Sequence, residues 1–323
     1  MVFYDVTTLY YESFVSDELR KPGFSKDNKS QQPQIVLGLV VTAEGFPVSY
    51  EVFEGNKFEG HTLIPVIRAF KEKHGVRTLT VVADAAMISR DNVKALEENG
   101  LRYIVGARMG NISPKLIAKI ESVIGGKDRA ILRTKTGLGN LICDFSQKRY
   151  AKDKREMEKQ VKKAEKFILD PALAKRAKFL KNGDIAYELN QELLGKAKLL
   201  LGIKGYYTNI GEGIDDQMII DRYHSLWHVE QAFRVAKSDL STRPIFHFKK
   251  EAIQTHMLIC FMALAVSKYM EIKTTLSLRR IIAVLKRITD AILIDKITSE
   301  ETIIRMDIHS EAREILEKLG LQY

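Results

Sequence analysis

Two aspartates stand in the sequence at places where a carboxylate needs a binding partner. Asp5 lies inside an apolar strand sequence at residues 2–11, and a buried carboxylate is costly unless it is paired or bound to a metal ion. Asp84 directly follows a second apolar strand sequence at residues 78–83, at the edge where α/β sheets usually bind ligands. An Asp before a helix also commonly forms a turn, whereas an apolar strand offers Asp5 no such role.

A third carboxylate, Glu230, lies in a helix predicted over residues 216–240. At 100° per residue, the apolar residues of this helix form a core stripe of Leu226, Val229, Phe233, Ala236 and Leu240. A neighbouring polar stripe contains Tyr223, Glu230, Arg234, Lys237 and Ser241. This stripe is rich in donors, but ordinary i,i+4 pairing of Glu230 with Arg234 explains the same pattern, and periodicity alone favours that explanation.

Other patterns that carry chemistry are weak or missing in the sequence. His224 and His228 have the i,i+4 spacing of a metal-binding pair, but no HExxH pattern surrounds them, and we expect surface residues. The sequence contains no P-loop, GxSxG or GxGxxG motif. Cys143 and Cys260 are the only cysteines, and two distant cysteines indicate free thiols rather than a disulfide framework.

The charge of the chain is basic and concentrated in one segment. Of its 323 residues, 51 are Lys or Arg and 41 are Asp or Glu, for a net charge of +10. Residues 148–181 alone hold thirteen Lys or Arg against five Asp or Glu. Such a local excess suits a polyanion, most often a nucleic acid, although a solvated helix face explains it equally well.

The elements that must position these residues follow the order β-β-β-α-β-α-β over residues 1–108. This order predicts an α/β fold whose sheet has mixed strand directions. Gly45 is available for the turn between the second and third strands, and Ser89 can cap the helix that follows Asp84. An apolar stripe of Met157, Val161, Ala164 and Ile168 runs along a Lys-rich helix, and a further helix is predicted at 277–293. Residues 109–204 are predicted to form a basic insertion subdomain with a hairpin and a Lys-rich helix. A return strand and the Glu230 helix follow at 205–245, and helices at 246–323. The longest apolar run, residues 257–266, is too short to span a membrane and is predicted to be a buried helix; no signal peptide is recognisable.

Several segments together resemble a known family of enzymes. The early aspartate in FYDVTTLYYES, the second in VVADAAMIS and the glutamate in LWHVEQAFRVAKSDL are similar to the Asp-Asp-Glu (DDE) transposases of bacterial insertion sequences, as are GFSKDN and FEGNKFEGHTLIPVI. The long gap before Glu230 resembles the branch with an insertion and a Tyr-x2-Arg-x3-Glu-x6-Lys signature helix. Here Tyr223, Glu230 and Lys237 match that signature, and Leu226 stands in place of the arginine.

The resemblance implies an RNase H-like fold and a metal-dependent reaction on DNA. Asp5, Asp84 and Glu230 would be the catalytic carboxylates and would hold two Mg²⁺ or Mn²⁺ ions. Tyr223, Arg234, Lys237 and Arg243 would contact DNA near the cut, and the insertion would follow the DNA backbone with Lys148, Arg149, Lys152, Lys162 and Lys163. The implied partners are the double-stranded DNA of element ends and target, and a second copy in a synaptic complex. No membrane is implied, and the expected location is the bacterial cytoplasm, on the nucleoid when DNA is bound.

One departure from the family concerns the start of the sequence. Met1 lies four residues before Asp5, whereas family members carry a preceding region that recognises the ends of the element. The expectation is therefore a catalytic domain that binds DNA with little preference for sequence. Two alternatives stay open, namely a catalytically idle remnant that only binds DNA or a full-length partner, and a structure-selective nuclease.

Overall fold

The chain divides into two units, the first assembled from the two ends of the sequence and the second from its middle. The computed structural model describes residues 1–76, 78–170, 177–183, 187–305 and 307–322. The first unit combines Met1–Lys73 with Trp227–Tyr323, and the second consists of His74–Leu226. The carboxylates are divided between the two units, since Asp5 and Glu230 belong to the first and Asp84 to the second.

The sheet of the first unit is an antiparallel meander. It consists of β1 (Val2–Tyr10), β2 (Gln34–Val41) and β3 (Pro47–Glu54), in the order β3-β2-β1. The β2–β3 turn was predicted at Gly45, whose φ of +82° is strained for residues with a side chain. Almost all of β1 is buried, and Asp5 is one of its two partly exposed residues.

The first unit also contains helices that bury apolar faces. Helix α1 (Leu63–His74) buries the face formed by Leu63, Val66, Ile67 and Phe70. Helix α7 (Trp227–Arg234) packs against β1 and β2, and α8 (Lys250–Thr274) packs against β3. The resulting core includes Leu9, Tyr11, Ile35, Ile253 and Met257.

The end of the chain is less helical than predicted. The helix expected at 277–293 ends early, as α9 (Leu278–Leu285), and a hairpin of β11 (Asp290–Ile294) and β12 (Glu301–Arg305) follows. The physical reason is local, since β-branched residues such as Ile292 and Ile294 favour an extended backbone. Asp295 then forms a turn, because its side chain accepts hydrogen bonds from the backbone N–H groups of Ile297 and Thr298. After the hairpin, α10 (Ser310–Lys318) packs against α9 through a buried cluster that contains Ile281, Val284, Ala312 and Ile315.

The sheet of the second unit has both parallel and antiparallel strands. Its members are β4 (Thr80–Ala83), β5 (Arg102–Gly106), β6 (Ile131–Thr136), β7 (Gly139–Phe145) and β10 (Ile203–Thr208), in the order β4-β5-β10-β7-β6. Strands β4 and β5 are parallel, with α2 (Arg90–Glu98) between them in the chain, and Ser89 caps this helix as predicted. The mixed α/β fold class is thereby confirmed.

The remaining elements of the second unit include its most basic segment. They are α3 (Pro114–Ile124), α4 (Gln147–Leu169), the short strands β8 (Leu180–Asn182) and β9 (Tyr187–Leu189), α5 (Gln191–Leu199) and α6 (Asp216–His224). Helix α4 packs through the predicted apolar stripe, with Ala164 buried against Phe179 and Leu194. The hairpin β6–β7 was predicted within the insertion, and β7 pairs directly with β10 of the sheet. The boundaries 109–204 of a separate subdomain stay a prediction, and residues 171–176 and 184–186 of that range lie outside the described residues.

Helix α8 is apolar on two sides, and the prediction that it is simply buried was wrong. Its core side carries Ile253, Met257 and Leu264, whereas Leu258 and Met262 are about half exposed. Among the described residues, α8 is the helix that passes a length-and-composition test for spanning a membrane, a test that the core helix of a soluble protein also passes. Its packing against β3 and the buried cluster around Leu9 indicates a core helix.

The core role of α8 can be tested with two methionines of the same helix. Met257→Ala removes a side chain that is 2% exposed, and we expect it to lower the free energy of unfolding by about 2–5 kcal/mol. The matched control Met262→Ala changes a side chain that is 50% exposed and should stay within about 0.5 kcal/mol. Urea denaturation followed by circular dichroism measures both, and equal losses would contradict the assignment.

Candidate active site

Asp5 is held on β1 as a paired carboxylate. Its Oδ1 accepts a hydrogen bond of 2.7 Å from the backbone N–H of Val6 and lies 3.6 Å from the Lys26 ammonium. Lys26 also donates to the Val6 carbonyl and lies 3.4 Å from Glu59. The Asp5 side chain is 15% exposed, so a charged carboxylate here depends on a cation beside it.

Glu230 lies on α7 in the same unit as Asp5. The helix buries Val229, Ala232 and Phe233 and leaves Glu230 and Arg234 exposed. Four of the five residues of the predicted core stripe are therefore buried, since Leu226 and Ala236 are buried as well, whereas Leu240 is partly exposed. Leu226, at the signature position of an arginine, packs in the interior.

Asp84 performs the turn-forming role that the sequence allowed and also has a second partner. It follows β4, and its Oδ1 accepts a hydrogen bond of 2.6 Å from the Ala85 N–H at the start of a 3₁₀ turn. The same oxygen accepts a hydrogen bond of 3.2 Å from the hydroxyl of Tyr223 on α6. Asp84 remains exposed, so its carboxylate is oriented by protein donors yet accessible.

Tyr223 was expected to contact DNA, and its side chain is instead buried in the second unit. The residue is 5% exposed, with the Tyr206 ring 4.7 Å from its own and the Lys204 ammonium 4.5 Å from its centroid. Gly106 makes room for it, because a Cβ at that position would lie 2.5 Å from the Tyr223 hydroxyl oxygen. Sequence analysis did not identify Gly106 or Lys204 as neighbours of Tyr223. The available signal was a glycine, Gly106, at the end of the strand that follows the Asp84 strand.

The single helix predicted at 216–240 was wrong, and so was the straight polar stripe drawn along it. Helix α6 ends at His224, α7 begins at Trp227, and a π-helical turn, Val235–Asp239, follows Arg234. Each interruption changes the angle between residues on either side of it. Tyr223 therefore faces Asp84, whereas Lys237 faces a partner that the stripe did not include.

That partner of Lys237 is Asp27, which also binds Arg243. The Lys237 ammonium lies 3.2 and 3.1 Å from the two Asp27 oxygens, and the Arg243 guanidinium contacts one of them. Burial lowers the pKa of Lys237, and the hydrogen bonds that its ammonium donates to Asp27 oppose this shift. The two residues predicted to bind DNA are thus joined by one carboxylate from the GFSKDN segment.

A basic cavity of about 710 Å³ opens in the second unit beside the first turns of α4. The cations that line it are Lys148, Arg149, Lys152, Arg155 and Lys204. Three of the predicted DNA-binding residues therefore share one cavity. Lys162 and Lys163 lie further along α4, and both are exposed.

The donor chemistry of the three carboxylates fits a hard divalent cation, although the described residues include no group of three His, Cys, Asp or Glu placed to hold one. Carboxylate oxygens are the ligands that Mg²⁺ and Mn²⁺ prefer. Asp5 already carries a cation, the Lys26 ammonium, and Asp84 is accessible. The two histidines have other partners, since the His224 ring lies 3.2 Å from the Tyr206 hydroxyl and His228 stacks on Trp227.

The fit between Gly106 and Tyr223 can be tested by substitution. Gly106→Ala places a methyl group against the Tyr223 hydroxyl and should lower the free energy of unfolding by about 1–3 kcal/mol through overpacking. Gly110→Ala, where a Cβ meets open space, is the matched control and should stay within about 0.5 kcal/mol. Tyr223→Phe should lower the free energy of unfolding less in the Gly106→Ala background than in the wild type. If denaturation experiments show that the two losses of free energy simply add, the contact is refuted.

The chain matches one family of known proteins and is similar to a solved structure. Among solved structures, the chain is similar to the piggyBac transposase in a cryo-EM synaptic complex with hairpin DNA, at 11% identity and a TM-score of 0.46. That match covers 83% of this chain and 46% of the other, so the chain spans about half the length of that relative. No curated protein matches. The family model described as the transposase DDE domain matches residues 2–266, and the chain therefore belongs to the transposase DDE domain family.

Proposed function

We propose that the chain is a metal-dependent DNA transposase of a bacterial insertion sequence, which cuts phosphodiester bonds at the element ends and transfers the strand to target DNA. Membership of the DDE family supports a nuclease and strand-transfer chemistry. The observation that carries the proposal is the hydrogen bond between Tyr223 and Asp84, which lie 139 residues apart in the chain. The resemblance selected both residues independently, one from the signature helix and one from a strand end.

Asp5, Asp84 and Glu230 are the proposed catalytic carboxylates and the ligands of two Mg²⁺ or Mn²⁺ ions. When bound, such ions activate the attacking hydroxyl or water and stabilise the leaving oxygen. The chain itself contributes hydrogen bonds and an ion pair to two of these carboxylates. Tyr223 and the Ala85 N–H fix the orientation of Asp84, and the Lys26 ammonium forms an ion pair with Asp5.

DNA binding is assigned to cations in both units. In the first unit, the two positive charges of Lys237 and Arg243 face the single negative charge of Asp27, and the excess of one positive charge attracts phosphate. Arg234 is exposed and is a further proposed DNA contact. In the second unit, Lys148, Lys152, Arg155, Lys159 and Lys162 recur at three- and four-residue intervals and share one face of α4. A continuous basic face of this kind suits the backbone of double-stranded DNA.

The reaction also defines the expected partners and location. Two element ends and a target are joined in one event, so a homodimer in a synaptic complex is the proposed assembly. The substrate places the protein in the bacterial cytoplasm, on the nucleoid. The competing function is a chain that binds DNA without cutting it, which Leu226 in place of the signature arginine favours.

Loss of a catalytic carboxylate should abolish DNA cutting. Asp84→Asn keeps the side-chain shape and removes its charge, and we expect at least about a hundredfold less nicking of supercoiled plasmid in Mg²⁺ or Mn²⁺, with the same result for Asp5→Asn and Glu230→Gln. Asp91→Asn, at an exposed position of α2, is the matched control and should cut normally. A wild-type chain that binds plasmid but never nicks it would instead support the idle alternative.

The basic cavity should contribute to the salt dependence of DNA binding. Arg155→Gln with Lys204→Gln removes two lining cations, and since each phosphate contact adds about −0.9 to the slope of log K against log salt, the slope should become shallower by nearly 2. Lys94→Gln with Lys115→Gln changes the net charge equally outside the cavity and should leave the slope unchanged. Fluorescence anisotropy with a labelled duplex measures both, and equal slopes for the two double variants would reject the cavity as a binding site.

A further inference from the structure

Asp27 is an acidic residue in the middle of a group of cations that are proposed to bind DNA. Its two oxygens face the Lys237 ammonium at 3.2 and 3.1 Å, and the Arg243 guanidinium contacts the same carboxylate. The Asp27 and Lys237 side chains are 12% and 11% exposed, and that of Arg243 is 28% exposed. The three side chains therefore form a compact, mostly enclosed group that is open at its arginine.

The backbone takes an unusual path to bring both cations to Asp27. In a regular α-helix, residues six positions apart point about 120° away from each other. Here the Leu240 N–H bonds to the Val235 carbonyl at 3.0 Å, which widens the helix to a π turn, and Ser241 follows with a φ of +50°. A serine in the left-handed region is uncommon, and both features concentrate at functional sites.

The charges and donors of the group leave capacity for one more anion. One carboxylate against two cations leaves an excess of one positive charge. Arg243 contacts Asp27 through Nη1, and a guanidinium has five N–H donors in a planar fork that matches the oxygens of a phosphate. Its guanidinium carbon also lies 6.0 Å from the centre of the Tyr10 ring, which limits its orientation.

We infer that Asp27 is a positioning residue that holds Lys237 and Arg243 together as a single binding site for a DNA phosphodiester. The inference rests on the proposed function, because it names how that DNA is held. Without Asp27, two cations at close range repel each other and separate, and the paired donors are lost. An acidic residue thus strengthens binding of an anion.

A positioning role for Asp27 and a purely electrostatic role predict opposite changes in DNA affinity when Asp27 is removed. If Asp27 acted only through its charge, its removal would raise the affinity for DNA, because a negative charge repels phosphate. If Asp27 positions the two cations, its removal lowers the affinity. The sign of the change therefore separates the two explanations.

The test is the affinity of the full chain for a fluorescein-labelled random-sequence duplex, measured by anisotropy at several salt concentrations. Asp27→Asn should raise Kd by about 3- to 10-fold and make the salt slope shallower by about 0.9, the value of one phosphate contact. In a Lys237→Gln, Arg243→Gln background, Asp27→Asn should add little, because the residues act as one unit. Asp239→Asn is the matched control, since Asp239 lies on the same π turn and pairs with Arg279 at 2.9 Å; it should not weaken binding.

Three outcomes would overturn the inference. They are an Asp27→Asn variant that binds as tightly as the wild type or more tightly, an equal loss in the double-variant background, and an equal loss for Asp239→Asn. If thermal unfolding shows that Asp27→Asn does not fold, Asp27→Glu keeps the charge and shifts the carboxylate by one methylene; unchanged binding by that variant also overturns it. Plasmid nicking by the wild-type chain reports separately on the proposed function, so failure of one is distinguishable from failure of the other.

Discussion

The central constraint on this molecule is the cost of keeping a carboxylate charged on an apolar scaffold. Asp5 lies on a strand that is buried almost throughout, and the Lys26 ammonium, 3.6 Å away, offsets the cost of a buried carboxylate. Asp84 lies outside its strand and is oriented by a phenol and a backbone N–H. Asp84 is thereby tied to a residue 139 positions away in the chain, and Asp5 to a residue in the loop after its own strand, so each carboxylate depends on the fold of its own unit.

The segment with Lys26 and Asp27 forms ion pairs with two different parts of the first unit. Two adjacent residues of opposite charge serve two different partners, because Lys26 faces Asp5 and Asp27 faces Lys237 and Arg243. A loop beside β1 therefore links a carboxylate of the first strand with cations that follow α7. A shift of this loop changes the surroundings of a proposed metal ligand and of a proposed phosphate site at the same time.

Sequence reasoning predicted the features that depend on neighbouring residues. The strands at Asp5 and Asp84, the turn at Gly45 and the cap at Ser89 follow from local composition and backbone preference, and all are confirmed. It failed where a small local change has distant effects. A π turn of five residues is invisible to a 100° periodicity, yet it moves Lys237 out of the expected line. The partner of Lys237 lies 210 residues away, and no pattern in a single sequence identifies a pair at that distance. The joint placement of Asp5, Asp84 and Glu230 stays a prediction.

The division of the chain has a consequence for its synthesis on the ribosome. The second unit, His74–Leu226, is one continuous stretch and can fold once it has emerged, whereas the first unit waits for Trp227 and the residues beyond it. Strand β1 is made before the second unit, whereas α7 and α8, which cover its sheet, are made more than two hundred residues after it. A nascent chain interrupted before residue 227 carries Asp5 and Asp84 and lacks Glu230, Lys237 and Arg243. If these residues act as proposed, translation must pass the second unit before the polypeptide can damage the DNA of its own host.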